Sequence, residues 1–332
     1  RSNHIPFGSE AEGWSTAAVL NAVSKMRRIA SYHLNEAILE EFRAKRFVRP
    51  DNSPLAEDKF YDCEVPWAQP LSLKDTLKKY LILPHLPSGL KKERCYSAVF
   101  FGPPGTAKTT LAEAIAQCLG WPYIYLQTSD FAGEMNQVIG KARDVFSRLT
   151  LLEQAVILFD EVEEFVRDRR DPENSPQTRM LTTSMLSLIQ ELRSQKKVIF
   201  IVATNFLDKF DAAITRPGGR FDLMILVAPP SRTEKARMFY DQLLDNEAVK
   251  HKKDQLGKVF EEFLKNHYQT EIQFFAFSEW RTFIDETLHQ AESTDITISV
   301  LQEMLKRHEQ GIAIRESLRT AYVNSQKFVR IC

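Results

Sequence analysis

The chain has 332 residues, 43% hydrophobic and 27% charged, and its 44 basic side chains balance 44 acidic ones. That composition fits a water-soluble globular protein with room for roughly two domains. No apolar run reaches the roughly 18 residues of a membrane-crossing helix, and zero net charge gives no electrostatic reason to expect nucleic acid.

The N-terminus, Arg1-Ser2-Asn3-His4, carries charge with no apolar stretch behind it, so the sequence predicts no secretory leader. Cys63, Cys95, Cys118 and Cys332 share no CxxC spacing, which argues against a zinc site or a disulfide framework. The expected location is the cytoplasm or another reduced intracellular compartment.

In chain order, Ser15-Thr16 opens a helical stretch that carries Leu20, Val23, Ala30, Leu34 and Ile38 at helical spacing and runs to about Phe47. Pro50, Pro54, Pro66 and Pro70 then mark an extended arm, expected to pack through Phe60, Tyr61 and Trp67. From Ser97 onward, short and almost wholly apolar strands alternate with helix-length segments: 97–101, 122–126, 155–159, 198–202 and 224–227. This pattern predicts a five-stranded parallel sheet with helices on both faces. After Pro229-Pro230 only helices are predicted, near 231–245, 254–267, 277–291, 297–308 and 311–324. The expected organisation is a helical N-terminal extension over 1–69, an α/β domain over 70–230 and a small helical lid over 231–332.

Between the first strand and its helix lies Gly102-Pro103-Pro104-Gly105-Thr106-Ala107-Lys108-Thr109, followed by Thr110. Such a loop turns successive backbone N–H groups inward at a helix N-terminus and makes an anion nest. Pro104 through Thr110 would line a bound ATP, with Lys108 on its terminal phosphates and the Thr109 hydroxyl on Mg²⁺. Ala107 stands where a second glycine is expected, and its Cβ restricts the backbone there.

The third strand ends in Asp160-Glu161, about fifty residues beyond the loop. Strand C-termini of a parallel sheet face the ligand edge, so Asp160 is placed to hold Mg²⁺ and Glu161 to deprotonate an attacking water. The fourth strand delivers Asn205 to the same edge. Arg216 and Arg220 flank a Pro-Gly-Gly turn, either as a solvated turn or as a basic hook offered across a subunit boundary. The run Arg167-Asp168-Arg169-Arg170 is either a solvated face or one turned to a neighbouring subunit or a pore.

Together these elements resemble the AAA ATPases, with Gly102–Thr109 as Walker A, Ile157–Glu161 as Walker B, Ala203-Thr204-Asn205 as sensor 1 and Arg216–Asp222 as the arginine-finger segment. The resemblance spans about residues 71–245 and implies a P-loop NTPase fold, ATP hydrolysis with Mg²⁺ at subunit interfaces, a hexameric homo-oligomer and a protein client to be remodelled. The catalytic set it implies is Glu161, Asn205, Arg220 and Arg216; Thr109 and Asp160 are its metal set. The finger segment departs from the family by an extra Gly between the arginines, which leaves open which of them reaches a neighbouring nucleotide. Phe131-Ala132-Gly133 has the order of a substrate-gripping pore loop but comes early, so Phe131 is either a pore residue or a packed one, with Met135 or Val138-Ile139-Gly140 as the other pore candidates. In the lid, Trp280 and Arg281 replace small residues expected near the nucleotide; Arg281 is either a second sensor or a solvated arginine. An ATP-gated assembly switch with slow hydrolysis is the alternative function, and a DNA-handling relative is disfavoured by the neutral charge and the lack of a helix-turn-helix signal.

Overall fold

A computed structural model of the chain describes residues 13–49, 60–63, 72–87, 89, 94–131, 133, 135–171, 174–215, 220–268, 272–308 and 330–331. Its centre is a sheet in the order β2-β3-β4-β1-β5-β6. The strands are β1 (Ser97–Phe101), β2 (Tyr123–Gln127), β3 (Val156–Asp160), β4 (Ile199–Thr204), β5 (Leu223–Leu226) and β6 (Arg330–Ile331). The first five are parallel, as their sequences demand: β1, β4 and β5 are buried at every position, so both faces must be covered. β6 adds an antiparallel sixth strand on the β5 edge, pairing Leu223 with Ile331, which the apolar pattern did not foretell.

The N-terminal helix α1 (Gly13–Glu41) stops earlier than its apolar spacing predicts. Arg43 adopts a left-handed φ of 49°, while the Ala44 N–H reaches the Leu39 carbonyl and the Arg43 N–H that of Glu40. This pair of bonds satisfies the last helical carbonyls and turns the chain out of the helix. Lys45 then exchanges two backbone hydrogen bonds with Tyr123, at 2.9 and 2.8 Å, docking the segment on the β2 edge. Ile38 and Leu39 join the α/β core, whereas every residue from Thr16 to Ala30 is exposed.

A short helix, α2 (Leu73–Leu77), is capped by Ser72, whose Oγ accepts the Asp75 N–H. The sheet is covered by α3 (Lys108–Leu119), α4 (Met135–Leu149) and α5 (Pro176–Gln195). α4 buries Val138, Ile139, Ala142, Phe146 and Leu149, a single face at spacings of three and four. α5 begins where Ser175 Oγ accepts the Thr178 N–H and Pro176 needs no donor. A single turn, α6 (Ala212–Thr215), follows β4.

Beyond Pro229-Pro230 come α7 (Arg232–Asp245), α8 (Lys253–His267), α9 (Phe277–Ser293) and α10 (Ile298–His308). They enclose a second core, distinct from that of the sheet and rich in aromatics: Phe239 stacks on Phe260 at 3.5 Å, and Trp280 on Phe283 at 5.4 Å. Trp280 is fully buried there, and its indole N–H donates to the Lys235 carbonyl. An aromatic cluster among these helices claims the Trp280 ring. The helix expected over 311–324 lies outside the described residues, as does Trp67.

Candidate functional site

Three loops meet at the C-terminal edge of the sheet because the strands that carry them are aligned. Phe101 pairs with Thr204 and Phe159 with Val202, so the ends of β1, β3 and β4 are nearly level. Open α/β sheets bind ligands at this edge.

The loop after β1 needs its glycines. Gly102 has φ +152°, and a Cβ there would lie 2.2 Å from the Val227 carbonyl oxygen. Gly105, at φ +75°, would place a Cβ 2.2 Å from Ser278 Oγ, at the start of α9. Ala107 is itself left-handed, at φ 59° and ψ 33°, and stands at the N-cap of α3. This is the backbone that glycine adopts freely, so the Ala107 Cβ costs local strain. The chain nevertheless reaches the required conformation, and α3 starts on time with Leu111 N–H bonded to the Ala107 carbonyl.

Lys108 is buried, and its Nζ donates to the carbonyls of Gly102 (2.9 Å) and Pro103 (2.8 Å) and to Oδ1 of Asn205 (2.7 Å). Burial lowers its pKa to about 8, against the opposing pull of Asp160 and Glu163. Thr109 Oγ1 donates to Asp160 Oδ2 at 2.9 Å, bringing the two oxygens of the expected metal set together. Hard oxygen ligands of this kind suit Mg²⁺. Pro104, Gly105 and Thr110 are exposed along the loop, while Thr106 is buried, with its hydroxyl on the Pro103 carbonyl. Glu161 is exposed and takes a left-handed φ of 55°, a strained conformation of the sort that concentrates at functional sites. Glu163, two residues on, accepts from Thr204 Oγ1 (2.6 Å) and from the Asn205 N–H (3.0 Å).

The arm contributes more than packing. The Tyr61 hydroxyl donates to the Thr106 carbonyl of the phosphate loop, and its ring lies 5.5 Å from that of Phe277 in the lid. Asp62 and Cys63 meet the Pro230–Ser231 junction through the Ser231 N–H to Asp62 carbonyl bond and a Cys63–Pro230 bridge. The Ser278 N–H donates to the Gly105 carbonyl, so arm, lid and loop touch at one place. Sequence reasoning missed Tyr61, Glu163 and Ser278 as neighbours of the site. The acidic run Glu161-Val162-Glu163-Glu164 was a visible hint for Glu163, whereas nothing local marks Tyr61 or Ser278.

Arg216 lies outside the described residues. Arg220 donates from Nε to the Leu186 carbonyl of α5, and the residues after it are firmly held. Phe221 is buried and stacks with Phe200, while Asp222 accepts from the N–H groups of Tyr96 and Ser97, the Ser97 hydroxyl and the Arg193 guanidinium. The run 167–170 is solvated in part, with Arg170 exposed and Arg169 drawn onto the protein by an ion pair. Arg169 forms a two-pronged ion pair with buried Asp211, Arg170 pairs with Asp168, and Arg167 bridges to Phe210. A buried carboxylate needs such a partner, and Asp211 recruits Arg169 from the surface.

Phe131 is fully buried against Phe159 (5.3 Å) and Phe165 (5.6 Å), so it is the packed residue of the two alternatives. Val138 and Ile139 are also buried, and the Met135 side chain lies outside the described residues. Arg281 is exposed on α9.

A phosphate loop, an acidic strand end and a polar sensor position on this sheet define a P-loop nucleotide-binding domain. The family model of the AAA ATPases, the ATPases associated with various cellular activities, matches residues 98–229, so this part of the chain is an AAA domain. FtsH 1, an ATP-dependent zinc metalloprotease of Salinibacter ruber, is 32% identical over 232 residues, 66% of this chain and 32% of that protein. Protein SAV of Sulfolobus acidocaldarius is 35% identical over 141 residues, 41% of this chain and 18% of its own length. Human YME1L1, another ATP-dependent zinc metalloprotease, is 31% identical over 53% of this chain and 23% of its own. The chain thus spans a third or less of these relatives. The crystal structure of the FIGL-1 AAA domain shares the fold at a TM-score of 0.55 and 16% identity, covering 90% of this chain and 97% of that one.

Proposed function

We propose that this chain is a Mg²⁺-dependent ATPase that assembles into a ring and remodels a protein or protein complex. The observation that carries the reading is the convergence of Lys108, Thr109, Asp160 and Asn205, joined in hydrogen-bonded pairs at the end of the glycine loop. Lys108 now holds loop carbonyls and the Asn205 side chain, acceptors that phosphate oxygens would replace on the ammonium. Thr109 and Asp160 would hold Mg²⁺, which neutralises charge on the phosphates when bound. Glu161, exposed at the mouth, takes the proton from the attacking water, and Asn205 orients that water. Arg220 is the first choice for the arginine offered to a neighbouring subunit, since Phe221 and Asp222 anchor the chain just after it; Arg216 remains the second. The buried cysteines Cys63, Cys95 and Cys118 suit a reduced compartment, and among the described residues no helix is long and apolar enough to cross a membrane.

A second reading, an ATP-gated assembly switch with slow turnover, is favoured by one observation: the aromatic offered for gripping a client, Phe131, sits inside the core. Phosphate release by the purified protein, together with its mass with and without Mg·ATP, separates the two. Sustained turnover by an ATP-dependent ring, accelerated by an unfolded polypeptide, supports the remodelling reading. Assembly with slow turnover, indifferent to polypeptide, supports the switch, and binding without turnover or assembly removes both.

A further inference from the structure

Glu163 sits in the 3-10 turn Val162–Phe165 that follows β3, and one of its oxygens serves two donors from the end of β4. Oε1 accepts the Thr204 hydroxyl at 2.6 Å and the Asn205 backbone N–H at 3.0 Å. The same Thr204 oxygen accepts the Phe206 N–H at 3.0 Å, so the turn out of β4 is held at three consecutive residues. The Asn205 amide lies just past the strand, where the sheet ladder no longer supplies an acceptor, and a carboxylate there makes a charge-assisted bond. The side chain of Asn205 is then aimed by its backbone, and its Oδ1 meets Lys108 at 2.7 Å.

We infer that Glu163 is a positioning residue for this site: it fixes the backbone of Asn205, and through it the side chain that faces the terminal phosphate. This rests on the ATPase reading above. Glu163 differs from Glu161 in what its carboxylate does. Glu161 is exposed at the mouth, whereas Glu163 Oε1 is engaged by two protein donors and acts through hydrogen bonds rather than by taking a proton from water.

The test compares the full chain with Glu163→Ala and Glu163→Gln, reading phosphate release against ATP concentration and Mg·ADP affinity by calorimetry. Gln keeps an oxygen acceptor at the same reach, whereas Ala removes it. The alanine variant is expected to lose about ten- to hundred-fold in kcat, as a misplaced site group does, with ADP affinity within about threefold of wild type. The glutamine variant is expected to keep kcat within about threefold. An alanine variant with full kcat, or a glutamine variant as defective as alanine, overturns the assignment while the wild-type turnover still stands. If the wild type itself shows no turnover, the ATPase reading falls, and hydrogen exchange at the Asn205 amide decides the positioning claim. Slow exchange in wild type and Glu163→Gln with fast exchange in Glu163→Ala upholds it; slow exchange in all three overturns it.

Discussion

Lys108 Nζ and Asn205 Oδ1 lie 2.7 Å apart although 97 positions separate them in the chain. The bond joins the loop after β1 to the turn after β4, two neighbouring strands whose ends are level, and it leaves the lysine sharing its charge among three oxygens. A ligand rich in phosphate oxygens can replace these acceptors and leave the ammonium paired with full negative charge.

This pairing has a pH signature. Burial brings Lys108 down to about 8 from an ordinary value of 10.5. Between those values the folded protein has released a proton that the unfolded chain still holds, so this group's contribution to stability rises with pH across the window. Bound phosphates favour the charged lysine. Nucleotide affinity is therefore expected to fall above about pH 8 with proton uptake on binding, a result readable by calorimetry in buffers of different ionisation enthalpy. Affinity that stays flat from about pH 7 to about pH 9.5, a range spanning that transition, contradicts the placement of Lys108 on the phosphates.

Asp211 works at the other end of the scale. Burial pushes its pKa up, but the Arg169 guanidinium and the Ala213 and Arg169 N–H groups outweigh this and bring it to about 2 from 3.8. Its stabilising contribution is present above pH 3.8 and is lost as pH falls through about 2. Replacing Arg169 with Met is expected to cost about 2 kcal/mol at neutral pH, since a buried carboxylate loses its charged partner. Thermal melts of wild type and Arg169→Met should converge as the pH approaches about 2.

Phe131 separates a core residue from a client-gripping one. It is wholly buried between Phe159 and Phe165, so Phe131→Ala is expected to destabilise the α/β domain by about 3–5 kcal/mol. A melting temperature unchanged by the substitution would return Phe131 to the surface.

Ala107→Gly tests the strain in the phosphate loop. The left-handed backbone favours glycine by about 1 kcal/mol, offset in part because the Ala107 methyl packs against the core and glycine has none. A modest rise in melting temperature is expected, and a fall would show that the packing of the methyl outweighs the strain.

The parts of this fold that were legible in the sequence are those with local causes. Five apolar strands, the loop between β1 and α3 and the acidic end of β3 each carry their signal in a few consecutive residues, and each lies within a residue or two of its expected place. Features made by contact between distant segments were not legible. Tyr61 meets Thr106 across 45 positions, and Asp211 draws Arg169 out of an apparently solvated basic run across 42. The aromatic order around Phe131 left a pore residue and a packed one both open, because sequence order does not reveal that Phe159 and Phe165 wait beneath it. The early end of α1 has a similar origin: the apolar spacing continues, but pairing of Lys45 with the β2 edge diverts the chain.

The division of labour between Glu161 and the rest of the site is the central claim, and the most direct test is Glu161→Gln beside wild type, with Mg·ATP affinity and phosphate release measured on the same preparations. The substitution leaves Lys108, Thr109, Asp160 and Asn205 in place and removes only the proton acceptor. The account predicts ATP affinity within about threefold of wild type and turnover lowered by about a hundredfold or more, the loss typical of a missing general base. Undiminished turnover in Glu161→Gln, or affinity and turnover lost together, would contradict it.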